Sequence, residues 1–488
     1  MLTQFNLHPL KRITFVITTF AYIILLLFVI RNLDTSTLWY DESGQFFIAK
    51  GLNHFSSPFA EEGNLLDVIY NNARYNLDPG GFSILLHFWT MVSNHHIWLR
   101  ILPFIFYLLT IIFINLTIYE ITRNKLFSFI GGLIIFMLIY GNSAYFLRAY
   151  SMELFCTVWG LWGILKLCKE CTPKRLFTYS VIFALLMTAR YSTVMIVFGY
   201  SICILYIILQ KSSNMREKIS QLCIYGIPLL IMVMAIYFVS MKIQNANAEQ
   251  LPYIKYFKDD ILGMFNPYHL TLYAFIITIL LLKKHFNKSF LTLFYAFCVI
   301  EILFIILSLA GLQPCDLLGS KNEPLLLLYL ICIYTSLYGL ISKYKFGYLT
   351  TLVILTLFIG FLTVKKGGGS LRNSNKSMNY NMAENLNRIN LNKYPQIFVS
   401  YWYSATIRYL YEYDHFSNDL DIYKEKFIFG EGFMHNNTGN GVLSQEKIAK
   451  EKEIEIIQQM PKESLIIGTE HIEGCSKLED YPYFNIKN

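Results

Sequence analysis

The sequence predicts an α-helical polytopic membrane protein of about 11 transmembrane helices, with a small C-terminal α/β domain outside the membrane. Three observations predict it. Hydrophobic residues fill 55% of the 488 positions and charged residues 15%, with a mean hydropathy of +0.42; soluble domains carry roughly 25% charge. Apolar runs of near-membrane length recur between residues 13 and 364, separated by short turns rich in Lys and Arg. Beyond a Lys-Lys-Gly-Gly-Gly-Ser stretch at 365–375, the chain turns polar and its apolar segments shorten to strand length.

The first run covers 13–30 and follows Lys11-Arg12. It is too long for a signal-peptide core and no small-residue cleavage site follows, so it reads as a retained helix with its N-terminus in the cytoplasm. Residues 32–96 form a long first outer loop. Within it, 82–92 is about 11 residues, too short to span, and reads as an interfacial or re-entrant helix, with a short buried span as the alternative. The following runs are 97–119, 126–147, 152–168, 176–189, 192–210, 219–240, 269–282, 289–310, 323–341 and 346–364. They alternate with turns carrying Arg123 and Lys125; Lys169, Lys174 and Arg175; Lys211, Arg216 and Lys218; Lys283, Lys284 and Lys288; and Lys343 and Lys345. These basic turns, nearly free of acid, belong on the cytoplasmic side. A full span at 82–92 would place them all outside. The domains are thus a transmembrane unit at 1–364, a linker at 365–375 and an extracytoplasmic domain at 376–488. In the last, strands are expected at 396–400, 422–429 and 463–468, with helices at 403–413 and 444–460. No internal repeat is visible.

Composition also excludes functions. The net charge of +8 is accounted for by the cytoplasmic turns, and no dense basic stretch with interleaved aromatics points to nucleic acid. The nine cysteines lack metal-ligand spacing. Cys168 and Cys171 form a CxxC in a basic turn without partner residues and read as ordinary thiols. Cys315 and Cys475 fall on the same side, and their pairing stays open. His87, His95 and His96 read as interfacial polar residues rather than a metal cluster.

The chemistry gathers at the outer ends of the spans. Tyr40, Asp41 and Glu42 follow the first span, within Trp39-Tyr40-Asp41-Glu42. Asn76-Leu77-Asp78-Pro79-Gly80-Gly81 leads into the short apolar helix, and Asp78 is read either as an acceptor contact or as an Asx turn. Arg148 and Tyr150 end the third span, Arg190 and Tyr191 the fifth, and Lys321 begins the tenth. One acid pair and three cations on one face suit a substrate with a reacting hydroxyl and a phosphate leaving group.

An Asp-Glu pair in the first outer loop, a Pro-containing segment before a short apolar helix and a later Arg-x-Tyr at a span end resemble the GT-C membrane glycosyltransferases. The pattern is nearest the protein O-mannosyltransferase and ArnT-like aminoarabinose-transferase group. The resemblance covers 10–364 in layout and four short motifs in residue detail. It departs at Pro79-Gly80, where relatives often carry two prolines, and at Asp78, where His is frequent. It departs also at Tyr145, Phe146 and Leu147, which stand where Gln-Glu-Ala often precedes the Arg. The second-loop acid is therefore missing, and Glu153 is the nearest substitute.

The resemblance implies a glycosyltransferase fed by a polyprenyl-phosphate-linked sugar at the outer face of the cytoplasmic membrane. The acceptor is a lipid, protein or glycan hydroxyl. Asp41 is then the base and Glu42 its orienting neighbour. Arg148, Lys321, Arg190 and Tyr150 hold the donor phosphate, while Tyr40, Asp78 and Tyr191 contact substrate. No cofactor is implied outright, and a divalent cation stays open. The alternative is a transporter or flippase of lipid-linked glycans, which would need polar groups deep in the spans.

Overall fold

The computed structural model describes residues 7–33, 37–53, 56–76, 78–139, 144–212, 214–243, 267–309, 322–341, 382–414, 420–430, 451–468 and 481–485. Lys321, Cys315, Cys475, the 346–364 run and the 365–375 linker lie outside them.

The helices in chain order are α1 (Leu7–Leu33), α2 (Tyr40–Ala49), α3 (Leu65–Tyr75), α4 (Gly81–Thr90), α5 (His96–Thr122), α6 (Lys125–Ile139), α7 (Tyr150–Lys169), α8 (Pro173–Leu186), α9 (Tyr191–Lys211), α10 (Met215–Ile236), α11 (Pro267–Leu282), α12 (Lys288–Leu309) and α13 (Glu323–Ile341). Among the described residues six are long and apolar enough to cross a membrane: α1, α5, α7, α9, α12, and α10 with the π-helical turn Tyr237–Met241 that extends it. Two more apolar helices, in α6 and α13, are shorter. The chain is thus an α-helical membrane-embedded protein. The 82–92 segment forms α4, ten residues long, or about 15 Å. That is half a bilayer core.

Burial sorts these helices by depth in the bundle. α7 is the centre, with 78% of its apolar window buried, whereas the Met215–Met241 window is 11% buried. Ile227, Leu230, Ile231 and Met234 face outward, as do Ile17, Phe20, Ile24 and Leu27 of α1. A continuous apolar surface of this kind is stable against lipid, not water. At one end of the bundle the basic turns gather. Lys166 and Lys169 reach the buried Glu120, the Lys211 ammonium donates to the Cys168 carbonyl at 2.5 Å, and Asn287 donates to the Ile121 carbonyl at 2.9 Å. The predicted site residues sit at the opposite helix ends.

The C-terminal segment holds four parallel strands, β1 (Ile397–Val399), β2 (Phe427–Phe429), β3 (Leu465–Gly468) and β4 (Tyr483–Asn485), in the order β2-β1-β3-β4. Its helices are α14 (Met382–Asn387), α15 (Tyr401–Glu412) and α16 (Leu420–Lys426), and residues 451–458 are also helical. The expected strand at 422–429 divides into α16 and β2, because Leu420–Lys426 carries four charges and packs Tyr423 alone into the core.

α15 has two apolar faces. Tyr403, Ile407, Leu410 and Tyr411 pack on the sheet, while Ala405 and Tyr409 pack into the membrane unit's core. The Tyr409 ring meets Phe46 edge-on at 5.0 Å. Arg408, buried, stacks on Phe47 and donates to the carbonyls of Ser56 and Ser57 at 2.6 and 3.2 Å. This segment is therefore docked on the first interhelical stretch, a contact the linker reading did not anticipate.

Candidate functional site

The site is built outward from Glu42. α2 begins just after Trp39, which sets Asp41 and Glu42 in its first turn, where the positive end of the helix dipole favours acids. Glu42 points inward and is fully buried. Its Oε2 accepts from the Trp39 backbone N–H at 3.2 Å and from Arg100 Nη2 at 3.0 Å. Its Oε1 accepts from the Leu147 N–H at 2.9 Å and from Arg100 Nε at 3.4 Å. Arg100, also fully buried, donates in addition to the carbonyls of Thr37 and Leu33 at 2.6 and 3.4 Å. One carboxylate thus ties α2 to α5 and to the turn before α7. Its lone pairs are committed, so Glu42 positions the site and does not face a substrate.

Asp41 is different. It is half-buried, and among the described residues its carboxylate accepts no hydrogen bond. The turn that Glu42 holds brings Arg148 to it: Arg148 Nη1 donates to the Asp41 carbonyl at 3.4 Å. Trp39 packs on Phe146 at 5.8 Å and supports the same turn. Among the described residues the Arg148 guanidinium pairs with no carboxylate. Burial raises the Tyr40 phenol, and the Asp41 charge raises it further, so Tyr40 keeps its proton as a donor.

The second half of the site centres on Arg190, the residue preceding α9. Its Nη1 meets Glu153 Oε2 at 2.7 Å and its Nε meets Asp78 Oδ1 at 3.2 Å. Tyr150 lies under the guanidinium, 4.5 Å from ring centre to Cζ, and Ser192 donates to the other Glu153 oxygen. Desolvation works against the Arg190 charge, but Glu153 and Asp78 outweigh it and hold the guanidinium protonated. Arg190 is thus occupied by two acids. The Asp78 carboxylate is buried on this cation. Glu153, the substitute considered for the acid absent from positions 145–147, is paired with Arg190.

A buried amide network fixes the distance between the halves. Gln45 of α2 donates to Ser83 Oγ at 2.7 Å, and Ser83 donates to Asn72 Oδ1 at 2.6 Å. Asn72 Nδ2 donates to the Asp78 carbonyl at 2.9 Å, and Asn76 donates to Gln45 Oε1 at 3.1 Å. Gly80 has φ +107, and a Cβ there would lie 2.9 Å from Asn72 Nδ2. Gly81 donates its N–H to the Thr188 carbonyl at 3.0 Å, two residues before Arg190. The Pro79-Gly80-Gly81 sequence therefore lets the Asp78 turn lie flat against both the network and the Arg190 turn. The π-helical turn adds Ser240 Oγ, donating to the Pro79 carbonyl at 3.0 Å.

Of the sequence-predicted residues, Tyr40, Asp41, Glu42, Asp78, Arg148, Tyr150, Arg190 and Tyr191 come to one end of the bundle. Sequence reasoning missed Arg100. Its signal was present, since a lone Arg five residues into a long apolar helix is expected to find a charged or carbonyl partner. The network residues Gln45, Asn72, Asn76 and Ser83 were missed as well, and no short-range pattern marks them. Elsewhere, Glu301 of α12 is buried with neither oxygen hydrogen-bonded. Compared with known proteins, the chain matches no family model and no curated protein.

Proposed function

We propose that the chain is an integral-membrane glycosyltransferase that moves a sugar from a polyprenyl-phosphate carrier to an acceptor hydroxyl. One observation carries this reading. Among the described residues the Asp41 carboxylate accepts no hydrogen bond and the Arg148 guanidinium pairs with no carboxylate, while Arg148 Nη1 reaches the Asp41 backbone carbonyl at 3.4 Å, at the rim of an apolar bundle. In this scheme Asp41 accepts the acceptor hydroxyl proton as that oxygen bonds to the anomeric carbon. The bond from that carbon to the phosphate oxygen breaks, and its electron pair leaves with the lipid phosphate. Arg148, with two parallel N–H groups, receives that charge. Lys321 is assigned as a second cation. Tyr40 and Tyr191 face the sugar, and the Arg190 cluster with Tyr150 and Asp78 forms the wall of the site.

The same proposal places the site at the outer face of the cytoplasmic membrane, because the gathered basic turns belong in the cytoplasm. It takes about 11 spans in all and an extracytoplasmic C-terminal α/β domain. The test is transfer by membranes supplied with polyprenyl-phosphate sugars, wild type against Asp41→Asn. Loss of about 10²–10⁴-fold is expected from removing a general base. Full transfer by a folded Asp41→Asn protein rejects the assignment.

Glu301 favours a second reading, a transporter or flippase of lipid-linked glycans, since an unpaired carboxyl within a span is a feature of ion-coupled carriers. Under that reading Glu301→Gln abolishes movement of the lipid across a vesicle membrane while Asp41→Asn does not. Under the transferase reading the dependence is reversed.

A further inference from the structure

The first turn of α5 and the end of α15 bring together three metal-ligating side chains that the site above does not use. His95, His96 and Asp414 each offer one ligand atom, and these atoms lie within 4.8 Å of one another. His96 Nδ1 stands 3.0 Å from Asp414 Oδ2 and 3.2 Å from Oδ1. The His95 ring stacks on His96 with centroids 4.3 Å apart.

We propose that these three residues bind one Zn²⁺ ion, with solvent in the fourth position, and that the ion fastens the C-terminal segment to the membrane unit. An ion pair between His96 and Asp414 would explain two of the residues. His95 caps α5 through the Ile97 N–H, and its ring stacks on that of His96, so both imidazoles stand beside the Asp414 carboxylate. Two imidazoles and one carboxylate form a ligand set suited to Zn²⁺. Ligands of a tetrahedral Zn²⁺ stand roughly 3.3 Å apart when the bonds are about 2.0–2.1 Å. The His96–Asp414 spacing is already close to that. His95 is exposed, and its ring nitrogen accepts only a 3.3 Å bond from the Ile97 N–H. One of its ring nitrogens lies within 4.8 Å of the ligand atoms of His96 and Asp414.

The scaffold is prepared on both sides. The Tyr409 hydroxyl donates to the Asn94 carbonyl at 2.7 Å, and the Asp414 N–H donates to the Tyr409 carbonyl at 3.1 Å. One tyrosine therefore holds both halves of the ligand set in register. Asp414 and His96 are 318 residues apart in sequence, so the ion would close a very long loop. His96 is also four residues before Arg100, on the same face of α5, which links the ion to the helix that holds Glu42.

The test uses the full chain, purified in detergent and stripped of metal by chelation, with Zn²⁺ titrated calorimetrically and Co²⁺ followed by its visible absorption. One ion per chain is expected. His95→Ser, which keeps a capping hydroxyl at the start of α5, and Asp414→Asn should each weaken binding at least tenfold. Saturating Zn²⁺ should slow proteolytic release of the C-terminal segment about tenfold in the wild type and not in His95→Ser. Wild-type affinity no greater than that of His95→Ser overturns the site. Unchanged proteolysis in a wild type that binds the ion overturns the fastening role. Glycosyl transfer enters neither readout, so failure here leaves the Asp41 reading standing.

Discussion

Arg100 and Glu42 form an ion pair at 3.0 Å in which both side chains are excluded from solvent. Among the described residues no other contact joins the three pieces of backbone around Asp41 so directly. Taking either partner away strands a buried charge, which costs about 3–5 kcal/mol, while replacing both with apolar groups of similar volume is often tolerated. Arg100→Met should therefore lower the melting temperature of the detergent-solubilised protein sharply. The double variant Arg100→Met with Glu42→Leu should recover part of that loss. Equal melting of wild type and Arg100→Met would remove Glu42 from its positioning role.

Arg148 has a separate role. Its single hydrogen bond to the Asp41 carbonyl is long and contributes little to folding. Arg148→Ala should leave melting near the wild-type value and reduce transfer roughly 10²–10³-fold, the loss typical of one donor to a developing negative charge. Arg148→Lys should restore only a fraction, because an ammonium lacks the parallel pair of N–H groups. Steady-state rates at saturating donor measure both.

Arg190 inverts that pattern. It neutralises Asp78 and the buried Glu153 together, so Arg190→Gln leaves two carboxylates facing each other near the membrane surface. Loss of folded protein is expected from the single variant. Adding Glu153→Gln should restore part of the monodisperse yield on size exclusion. Transfer lost with unaltered stability would instead place Arg190 on the substrate.

Gly80 tests the backbone between the two halves. Alanine there meets both a left-handed φ of +107 and the Asn72 amide, and strain of this kind costs about 1–3 kcal/mol. Gly80→Ala should lower the melting temperature. Adding Asn72→Ala should return little of it, because the φ penalty remains and the Asp78 carbonyl loses its donor. Full recovery would show that crowding alone was responsible.

The membrane character of the chain and most of its helix order were legible, because apolar run length and basic turns are local signals. α4 was readable as too short to span. The approach of Asp41 to Arg148 was also legible, through shared placement at helix ends. Glu42 was expected to orient Asp41, but its burial on Arg100 was not legible: only the helix rotation of about 100° per residue sends one of two adjacent acids inward and the other to the rim. The pairing of Glu153 was not legible, since its partner Arg190 lies 37 residues away. Pairings of that range leave no periodic trace. The same holds for α15, whose two-faced pattern marks burial without naming either partner.

That two-faced helix has a consequence in time. Ser43 and Thr406 meet across 363 residues, and Arg408 reaches back 352 residues to Ser56. At about 5–20 residues per second of synthesis, the aromatic surface of Phe46 and Phe47 waits roughly 20–70 s for its cover. A pulse-labelled chain should accordingly pass through an interval in which the first interhelical stretch is open to protease, ending as residues 401–414 leave the ribosome. Covering of the Ser43–Phe47 face of α2 is then among the last events in the life of the nascent chain, and a chain cut short anywhere before α15 would be a membrane-inserted protein with that aromatic face still open.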